Sequence, residues 1–333
     1  MDKIKVGVIG IGGISQLMHI PVLAKHKEVE ISGIVDINKN ILNNVSERFS
    51  IKNTYSDYRE MLEKSGSDAV MIATPTKFHH EMALASIDAG KHLFIEKPIA
   101  RTLEEAKEIA KAAEKKGVKV MVGMNMRYRP DIMLLKSIIN SGDLGSPFYV
   151  KAGWLRKQSS TGKWFTKKIE AGGGVIFDLG IVLLDLSLWM LDFPDILSVS
   201  TQNYYINTRN VEDSSISLIK AQPDSLVYLE SSWSLQSGND TFYLDIQCEK
   251  GNAFLNPLRI SKNLSGNQID LAYSKQENPR KLFEKSYVNE INHFIGAIKG
   301  LNPVLSSAKD AVSRMGIIEA MYLSASIKSE IKF

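Results

Sequence analysis

Glu96 and Lys97 are adjacent side chains whose types and position allow proton-transfer chemistry. They follow the apolar run 92–95, which predicts a buried strand, and Pro98 restricts Lys97 to an extended backbone. Partial removal from water moves the pKa of an amine toward the working pH, so a lysine at the end of a strand can donate or accept a proton. Glu96 acts in the opposite direction, because its negative charge favours the ammonium form. An ordinary surface ion pair before a turn is the alternative interpretation.

A glycine-rich turn follows the first predicted strand, residues 5–9. Gly10 suits a tight turn, Gly12 lets the backbone approach a pyrophosphate, and the small Ser15 permits close packing of the next helix. The N-terminus of that helix offers N–H groups and a partial positive charge to phosphate oxygens. The pattern predicts a dinucleotide site, with an ordinary loop as the alternative.

Asp36 strengthens the dinucleotide interpretation. It ends a second predicted strand, residues 29–35, and lies 24 positions after Gly12. A carboxylate there can accept hydrogen bonds from the ribose hydroxyls and repels a 2′-phosphate. We therefore expect NAD as the cofactor, while the nearby Lys39 leaves NADP possible. Lys97 is then expected beside the nicotinamide.

The first 125 residues alternate helical and strand patterns, which predicts a doubly wound parallel sheet. The predicted strands are 5–9, 29–35, 52–54, 68–73, 92–96 and 118–123, and the predicted helices after the first are 39–49, 58–64, 79–90 and 103–116. Asp57 can cap the helix that starts at residue 58, and Gly117 can close the last one. Pro75 ends the strand 68–73 at the carboxyl edge of the sheet, where ligands of this fold class bind.

The second part of the chain has period-two segments that predict a mostly antiparallel sheet. They are residues 148–154, 198–205, 214–220, 226–233, 242–247 and 253–255, with helices at 130–141, 176–191, 288–299 and 308–328. One face of the sheet is expected to cover helices, and the other to be open. We predict that the open face forms a homodimer or homotetramer.

Arg156 and Trp164 lie near the start of this second part. They suit a hydroxylated or anionic substrate, through charge-assisted hydrogen bonds and stacking respectively. A surface arginine and a core aromatic side chain are the alternative interpretation.

Composition excludes several other classes of function. The chain has 333 residues, a net charge of +4 and 23% charged residues without long basic runs, which argues against nucleic-acid binding. The single cysteine, Cys248, excludes an intrachain disulfide and a multi-cysteine metal site, and it is expected to be buried. Without a signal-peptide pattern or an uninterrupted apolar run of about 18 residues, we expect a cytoplasmic protein that binds neither a membrane nor a metal.

These motifs together resemble the glucose–fructose oxidoreductase/inositol dehydrogenase/MocA (Gfo/Idh/MocA) family. The resemblance covers the whole chain, and Glu96-Lys97-Pro98 is its most specific element. The matching residues are Gly10 to Ser15, Ala73-Thr74-Pro75 with His79, Gly90 to His92, Glu96 to Pro98, Val122 to Asn125 with Arg127, Trp154 to Arg156, Trp164-Phe165 and Gly172 to Gly174 with Asp178.

The resemblance implies an N-terminal Rossmann domain, residues 1–127, and a C-terminal domain, residues 128–333, that binds the substrate and forms the oligomer. The closing helices, 288–299 and 308–328, are expected to pack on the second sheet or back on the first domain. It implies NAD(P)-dependent hydride transfer at a carbinol or keto carbon of a sugar, cyclitol or related polyol. Lys97 and Asp178 are then the catalytic residues. The implied dinucleotide ligands are Gly10, Ile11, Gly12, Gly13, Ile14, Asp36, Thr74, Pro75, His79, Glu96, Lys97 and Asn125. The implied substrate ligands are Lys97, Arg127, Arg156, Trp164 and Asp178.

The sequence departs from the family at Val182. Four residues after the aspartate that Asp178 matches, the family normally carries a histidine that relays the substrate proton, and valine cannot move a proton. The spacing of Asp178, Val182, Asp185 and Trp189 predicts a shared helical face. Three interpretations remain open: Lys97 works alone with Asp178 orienting the substrate, another donor such as a tyrosine, His79 or His80 replaces the histidine, or the protein binds dinucleotide and sugar as a regulator without turnover.

Overall fold

The protein is described by a computed structural model that covers residues 3–157, 164–236, 238–272 and 278–333. The chain divides into two compact units, Met1–Asn125 with Glu284–Ser313 and Met126–Phe283 with Arg314–Phe333. The first division lies two residues before the predicted boundary at 127. The segment Glu284–Ser313, which comes from the closing helices, belongs to the first unit.

The first part of the chain alternates strands and helices as predicted. Its elements are β1 (Ile4–Ile9), α1 (Ile20–Lys25), β2 (Val29–Val35), α2 (Lys39–Phe49), β3 (Thr54–Tyr55), α3 (Tyr58–Lys64), β4 (Ala69–Ile72), α4 (His79–Asp88), β5 (His92–Glu96), α5 (Leu103–Lys116) and β6 (Val120–Gly123). A π-helical turn, Ser15–His19, leads into α1, and 3₁₀ turns at Thr76–Phe78 and Asn125–Tyr128 precede α4 and follow β6.

Capping residues explain where these helices begin and end. The Asn38 side chain accepts hydrogen bonds from two backbone N–H groups of α2, and Asp57 and Thr102 each accept one at the starts of α3 and α5. Gly117 ends α5 in the left-handed conformation, with φ of 67°. The bounds of α2 and α5 are those predicted from the sequence.

The first unit contains a six-stranded parallel sheet in the order β3-β2-β1-β4-β5-β6. The chain reverses its direction of travel across the sheet between β1 and β4, which is where ligands of doubly wound sheets bind. The carboxyl ends of β1, β2, β4, β5 and β6 all lie at one edge, so the residues that follow these strands come to the same side of the unit.

The second part of the chain is richer in strands. Its elements are α6 (Pro130–Asn140), β7 (Pro147–Leu155), α7 (Lys168–Ala171), α8 (Ile181–Met190), β8 (Ile196–Tyr204), β9 (Ser214–Ala221), β10 (Ser225–Ser232), β11 (Thr241–Cys248), β12 (Gly251–Leu255), β13 (Arg259–Leu264), β14 (Asn267–Ala272), α9 (Pro279–Ile298), α10 (Ala308–Ile327) and β15 (Ile331–Lys332). A 3₁₀ turn, Trp164–Thr166, precedes α7, and a π-helical turn, Ile176–Gly180, precedes α8.

The second sheet has nine strands in the order β14-β13-β12-β11-β7-β10-β9-β8-β15. Its neighbours are antiparallel, as predicted, except that β7 and β10 run parallel. Strands β13, β14 and β15 were not predicted. Period-two apolar alternation is weak in the first two, and β15 has only two residues.

Helix α8 packs against β7 and β10 on one side of this sheet. All its residues except Trp189 are buried, including the polar Asp185 and Ser187, so the helix lies in the protein core. Residues in β9 alternate between buried and exposed, and Ile216 and Leu218 on its outward side are 38% and 43% exposed. The predicted covered and open faces are therefore both present at this strand.

Lys168–Met190 is long and apolar enough to qualify as a membrane-spanning candidate, although the sequence was expected to contain none. Most of it, 89% of the most apolar window, is buried inside the protein, which is the environment of a core helix. The buried Cys248, in contrast, is as predicted, and burial raises the pKa of its thiol to about 11.

Candidate active site

The glycine turn after β1 has the geometry that a pyrophosphate requires. Gly10 has a φ of 85°, and a Cβ there would lie 2.7 Å from the Thr74 methyl group and 2.8 Å from the backbone of Ala73. A Cβ on Gly12 or Gly13 would meet no atom within 4 Å, so open space adjoins both residues. Glycine is therefore required at position 10 by packing, and the next two glycines leave room for a dinucleotide.

Hydrogen bonds hold this turn in place. The Ser15 hydroxyl, which is fully buried, donates to the Gly10 carbonyl over 2.6 Å. Asp36 accepts one hydrogen bond from the Ile11 N–H (3.1 Å) and one from the Asn38 N–H (2.9 Å). The carboxylate at the end of β2 is thus fixed directly beside the glycine turn, in the position from which such a residue holds the ribose hydroxyls. Ile14 lies in the same turn, immediately before the π-helical segment.

Thr74 and Pro75 follow β4 at the carboxyl edge of the sheet, where both are partly exposed. His79, which was predicted to contact the dinucleotide, is buried, and its ring nitrogens lie 2.8 Å from the carbonyls of Thr74 and Pro98. Burial lowers the pKa of His79 more than these two carbonyls raise it. His79 therefore links the segments after β4 and β5, and its neutral ring donates one hydrogen bond, to the carbonyl of either Thr74 or Pro98.

Glu96 ends β5 and is held by a histidine that the sequence analysis did not single out. The buried His19 donates from Nε2 to the Glu96 carboxylate over 2.7 Å, and the backbone N–H of Lys97 donates to the other oxygen over 3.2 Å. The His19 ring also contacts Phe94 and Tyr287 edge-on. The sequence feature that could have indicated this pairing is the position of His19, a polar residue between apolar neighbours just before α1.

The environment keeps Glu96 ionised. Burial raises the pKa of Glu96, but the hydrogen bond from His19 and the electrostatic effects of His19 and Lys97 outweigh it, so the pKa lies below its usual value. A negative carboxylate therefore lies next to Lys97, as the sequence predicted. Lys97 itself is partly exposed at the carboxyl edge of the sheet.

Asn125 follows β6 at the same edge. Its side-chain amide donates to the buried Ser286 hydroxyl over 3.0 Å. Ser286 lies in α9, 161 residues along the chain, and both residues belong to the first unit. The first unit therefore collects the glycine turn, Asp36, Thr74, Glu96 with Lys97, and Asn125 at one sheet edge.

Asp178 lies in the second unit, within the π-helical turn Ile176–Gly180. The indole N–H of Trp233 donates to its carboxylate over 3.1 Å. Trp233 follows β10 and is only 3% exposed. Sequence reasoning did not identify this residue, because a tryptophan at the end of an apolar strand is typical of the core.

Arg156 and Trp164 lie in the same unit as Asp178. The backbone N–H of Arg156 donates to the carbonyl of Ser232, the residue before Trp233, and its half-exposed guanidinium contacts Asp240 over 3.3 Å. Trp164 contacts Phe165 edge-on, and the Phe165 ring packs 5.6 Å from that of Trp233. The second unit thus brings both predicted substrate residues to the neighbourhood of Trp233.

Arg127 does not fit its predicted role as a substrate ligand. It is 1% exposed and donates to both carboxylate oxygens of Asp185 over 2.7 and 2.6 Å. The buried Arg314 donates to the same carboxylate over 2.6 Å. The prediction is corrected because Arg127 belongs to a buried ion cluster of two guanidinium groups around one carboxylate.

The predicted common face of Asp178, Val182, Asp185 and Trp189 is also altered. The turn Ile176–Gly180 is π-helical, which is wider than the α-helical period on which the prediction rests. Asp178 contacts Trp233, whereas Asp185 contacts Arg127 and Arg314, so the two carboxylates serve different groups. Val182 is 5% exposed at the start of α8.

Within the part of the chain that the structure describes, no cluster of three or more His, Cys, Asp or Glu side chains could hold a metal ion.

Two family models match this chain. The Gfo/Idh/MocA oxidoreductase model, described as an NAD-binding Rossmann fold, matches residues 4–124, and the C-terminal domain model of the same family matches residues 132–254. The chain belongs to the Gfo/Idh/MocA oxidoreductase family. It is an NAD-dependent oxidoreductase, and the family, fold class and cofactor expected from the sequence are confirmed.

Several relatives of the family are similar to the chain over most of its length. D-glucoside 3-dehydrogenase of Escherichia coli K12 is 25% identical, covering 99% of this chain and 98% of that protein. The NAD⁺-dependent scyllo-inositol 2-dehydrogenase of Bacillus subtilis 168 is 26% identical, covering 91% and 89%. A solved structure of levoglucosan dehydrogenase with NADH and L-sorbose has a TM-score of 0.90 at 22% identity, covering 100% and 99%.

Proposed function

We propose that this protein transfers hydride between NAD and a carbinol or keto carbon of a sugar, cyclitol or related polyol. The observation that carries the proposal is the placement of Lys97, beside an ionised Glu96, at the sheet edge that also bears the glycine turn. The relatives named for D-glucosides and scyllo-inositol support this class of substrate. NAD, when bound, supplies the hydride chemistry at its nicotinamide ring.

We assign each predicted site residue a role in binding or in catalysis. Gly10, Ile11, Gly12, Gly13, Ile14 and Asp36 hold the pyrophosphate and ribose, and Thr74, Pro75, Glu96 and Asn125 surround the nicotinamide end. Lys97 donates or accepts the proton of the reacting hydroxyl. Asp178 orients that hydroxyl, while Arg156 hydrogen-bonds other hydroxyls of the substrate and Trp164 stacks against it.

With Val182 in place of a histidine, we infer that Lys97 alone transfers the proton. The two histidines considered from the sequence as replacement donors are poorly suited to the task. His79 is buried between two backbone carbonyls, and the ring of His80 lies 2.7 Å from the carboxylate of Glu108. Losing one acid–base group slows catalysis by about 10²–10⁴-fold without ending it.

A survey of substrates tests the proposal. Purified protein is incubated with NAD⁺ and a panel of sugars, glycosides and inositols, and with NADH and the matching keto-sugars, while NADH absorbance is followed. We expect turnover with at least one member of the panel. Val182 favours a second candidate, a regulatory protein that binds dinucleotide and sugar, and tight NADH binding without turnover on the whole panel would support it instead.

Asp36→Ala is expected to weaken NAD⁺ binding by about tenfold, because it removes a charged hydrogen-bond acceptor at the ribose. NADP⁺ binding should be unchanged or tighter, since the variant no longer repels a 2′-phosphate. Titrations of both dinucleotides measure the effect, with Asp36→Asn as a variant that keeps the shape of the side chain but loses the charge and one of the two acceptor oxygens. A wild-type protein that binds NADP⁺ more tightly than NAD⁺ contradicts this assignment.

We also propose that the open face of the second sheet forms a homodimer or homotetramer. Ile216 and Leu218 on β9 are exposed apolar side chains on that face. Light scattering at micromolar concentration should report an oligomer, and Leu218→Glu should shift it toward the monomer by burying a charge at the contact. A wild-type monomer under these conditions excludes the proposal.

A further inference from the structure

The buried Glu212 and the half-buried Tyr322 pack against two glycines of the cluster before Asp178. A Cβ on Gly174 would clash with the backbone carbonyl of Glu212 and lie 2.9 Å from its carboxyl carbon. A Cβ on Gly173 would clash with the hydroxyl of Tyr322. Positions 173 and 174 therefore require glycine because Glu212 and Tyr322 pack closely against them. Backbone flexibility is not needed to explain these two glycines.

Glu212 holds the backbone of this turn. Its carboxylate accepts hydrogen bonds from the N–H groups of Gly174 (3.0 Å) and Ile176 (3.0 Å) and from the Tyr322 hydroxyl (2.7 Å). Its carbonyl accepts a further one from the Val175 N–H over 3.0 Å. The side chain is 1% exposed, and burial raises the pKa of Glu212 although these donors oppose it. The N–H groups that begin the Asp178 turn are thus satisfied by one buried acid.

Trp233 holds the Asp178 side chain itself. Its ring is packed by Val175, Leu179, Val211 and Phe165, so the indole has little freedom to rotate. Its indole N–H points to the Asp178 carboxylate over 3.1 Å. Because a hydrogen bond to a charged group is stronger than one between neutral groups, this contact selects one orientation of the carboxylate.

Glu212 and Trp233, which contact the Asp178 turn, lie at the same end of the strand pair β9–β10. Glu212 lies two residues before β9 and Trp233 one residue after β10, and Ser214 and Ser232 are the last paired residues of these strands. The backbone N–H of Trp233 donates to the Asp213 carbonyl over 2.7 Å, which fixes the two ends to each other. The sheet therefore positions the backbone and the carboxylate of the Asp178 turn together.

We propose that Trp233 is a positioning residue for the reaction, acting through Asp178, with Glu212 as the support of the turn. The inference rests on the proposed function. With valine at position 182, the orientation of the substrate hydroxyl depends on Asp178, and a carboxylate fixed in advance holds the hydroxyl in a reactive geometry. Trp233 and Glu212 contact neither substrate nor cofactor in this role.

A double-mutant cycle tests the proposal. Trp233→Phe keeps an aromatic ring at this position and removes the N–H donor together with part of the volume of the indole. We expect it to lower kcat/KM for the sugar by about tenfold, with KM for NAD⁺ unchanged. In an Asp178→Asn background the same substitution should change kcat/KM by less than about twofold, because the two residues act as one unit. Trp189→Phe is the matched control and should leave kcat/KM unchanged in both backgrounds.

The outcomes separate this inference from the proposed function. If Trp233→Phe lowers kcat/KM by the same factor in the wild-type and the Asp178→Asn backgrounds, or has no effect in either, the positioning role is wrong. If Asp178→Asn retains wild-type kcat/KM, the role proposed for Asp178 is wrong, and with it the inference. Absence of turnover in the wild type overturns the proposed function itself.

Glu212→Gln provides a second variant in case Trp233→Phe fails to fold. The amide preserves the size of the side chain and loses one acceptor of the Gly174 and Ile176 N–H groups. A fall in kcat/KM of about threefold to tenfold, again absent in the Asp178→Asn background, supports the proposal. An equal fall in both backgrounds means that Glu212 contributes to folding alone and contradicts it.

Discussion

Lys97→Met is expected to lower kcat by about 10²–10⁴-fold, since methionine keeps much of the length of lysine and has no proton to exchange. The dissociation constant of NADH should stay within about threefold of wild type. The glycine turn and Asp36, which hold the pyrophosphate and ribose in the proposal, are not altered by the change. Initial rates on the sugar identified in the substrate survey give kcat, and NADH fluorescence titration gives the dissociation constant.

Lys91→Met is the matched control for this prediction. Lys91 immediately precedes β5, and Lys97 immediately follows it, so the same substitution is made at opposite edges of the parallel sheet. We expect Lys91→Met to leave kcat within about twofold of wild type. A Lys97→Met enzyme that keeps more than a tenth of the wild-type kcat contradicts the proton-transfer role. Loss of NADH binding in that variant would assign Lys97 to the cofactor site instead.

Local patterns in the sequence were sufficient to predict the strands and helices between residues 4 and 123. Caps such as Asn38 and Thr102 determine helix ends through contacts within three residues, so α2 and α5 begin where the sequence indicates. Because strands and helices alternate, the strands run parallel and all their carboxyl ends lie at one edge of the sheet. Lys97 directly follows β5 and is therefore expected at that edge. The sequence could therefore predict that the glycine turn and Lys97 lie at the same edge of the sheet.

The rest of the candidate site depends on contacts between residues that are far apart in the chain. Arg127 was predicted to bind substrate because of the family resemblance, but its partner Asp185 lies 58 residues away, and Arg314 lies 129 residues from the same carboxylate. His19 likewise reaches Glu96 across 77 residues. A hydrophobic pattern of period two or 3.6 predicts strands and helices, but it does not indicate which distant side chains form an ion pair or a hydrogen bond. The π-helical turn at Asp178 was missed for the same reason, since it depends on packing by Glu212.

Asp185→Asn is the substitution for which we expect the largest loss of stability, about 3–5 kcal/mol in the free energy of unfolding. The asparagine has nearly the same volume, but it removes the negative charge that the buried guanidinium groups of Arg127 and Arg314 both contact. All three side chains are at most 1% exposed, so solvent cannot screen the remaining charges. The cluster lies wholly within the second unit.

Urea denaturation followed by tryptophan fluorescence measures this loss, because all four tryptophans (Trp154, Trp164, Trp189 and Trp233) belong to the second unit. Asp143→Asn is the control. Asp143 is 67% exposed and 3.5 Å from Lys262, and such a surface pair contributes about 0–1 kcal/mol. Replacing Asp185 by Leu together with Arg127 and Arg314 by Met should recover most of the lost stability, since an apolar cluster leaves no charge unpaired. If Asp185→Asn costs no more than Asp143→Asn, the buried carboxylate does not stabilise this unit through the two arginines.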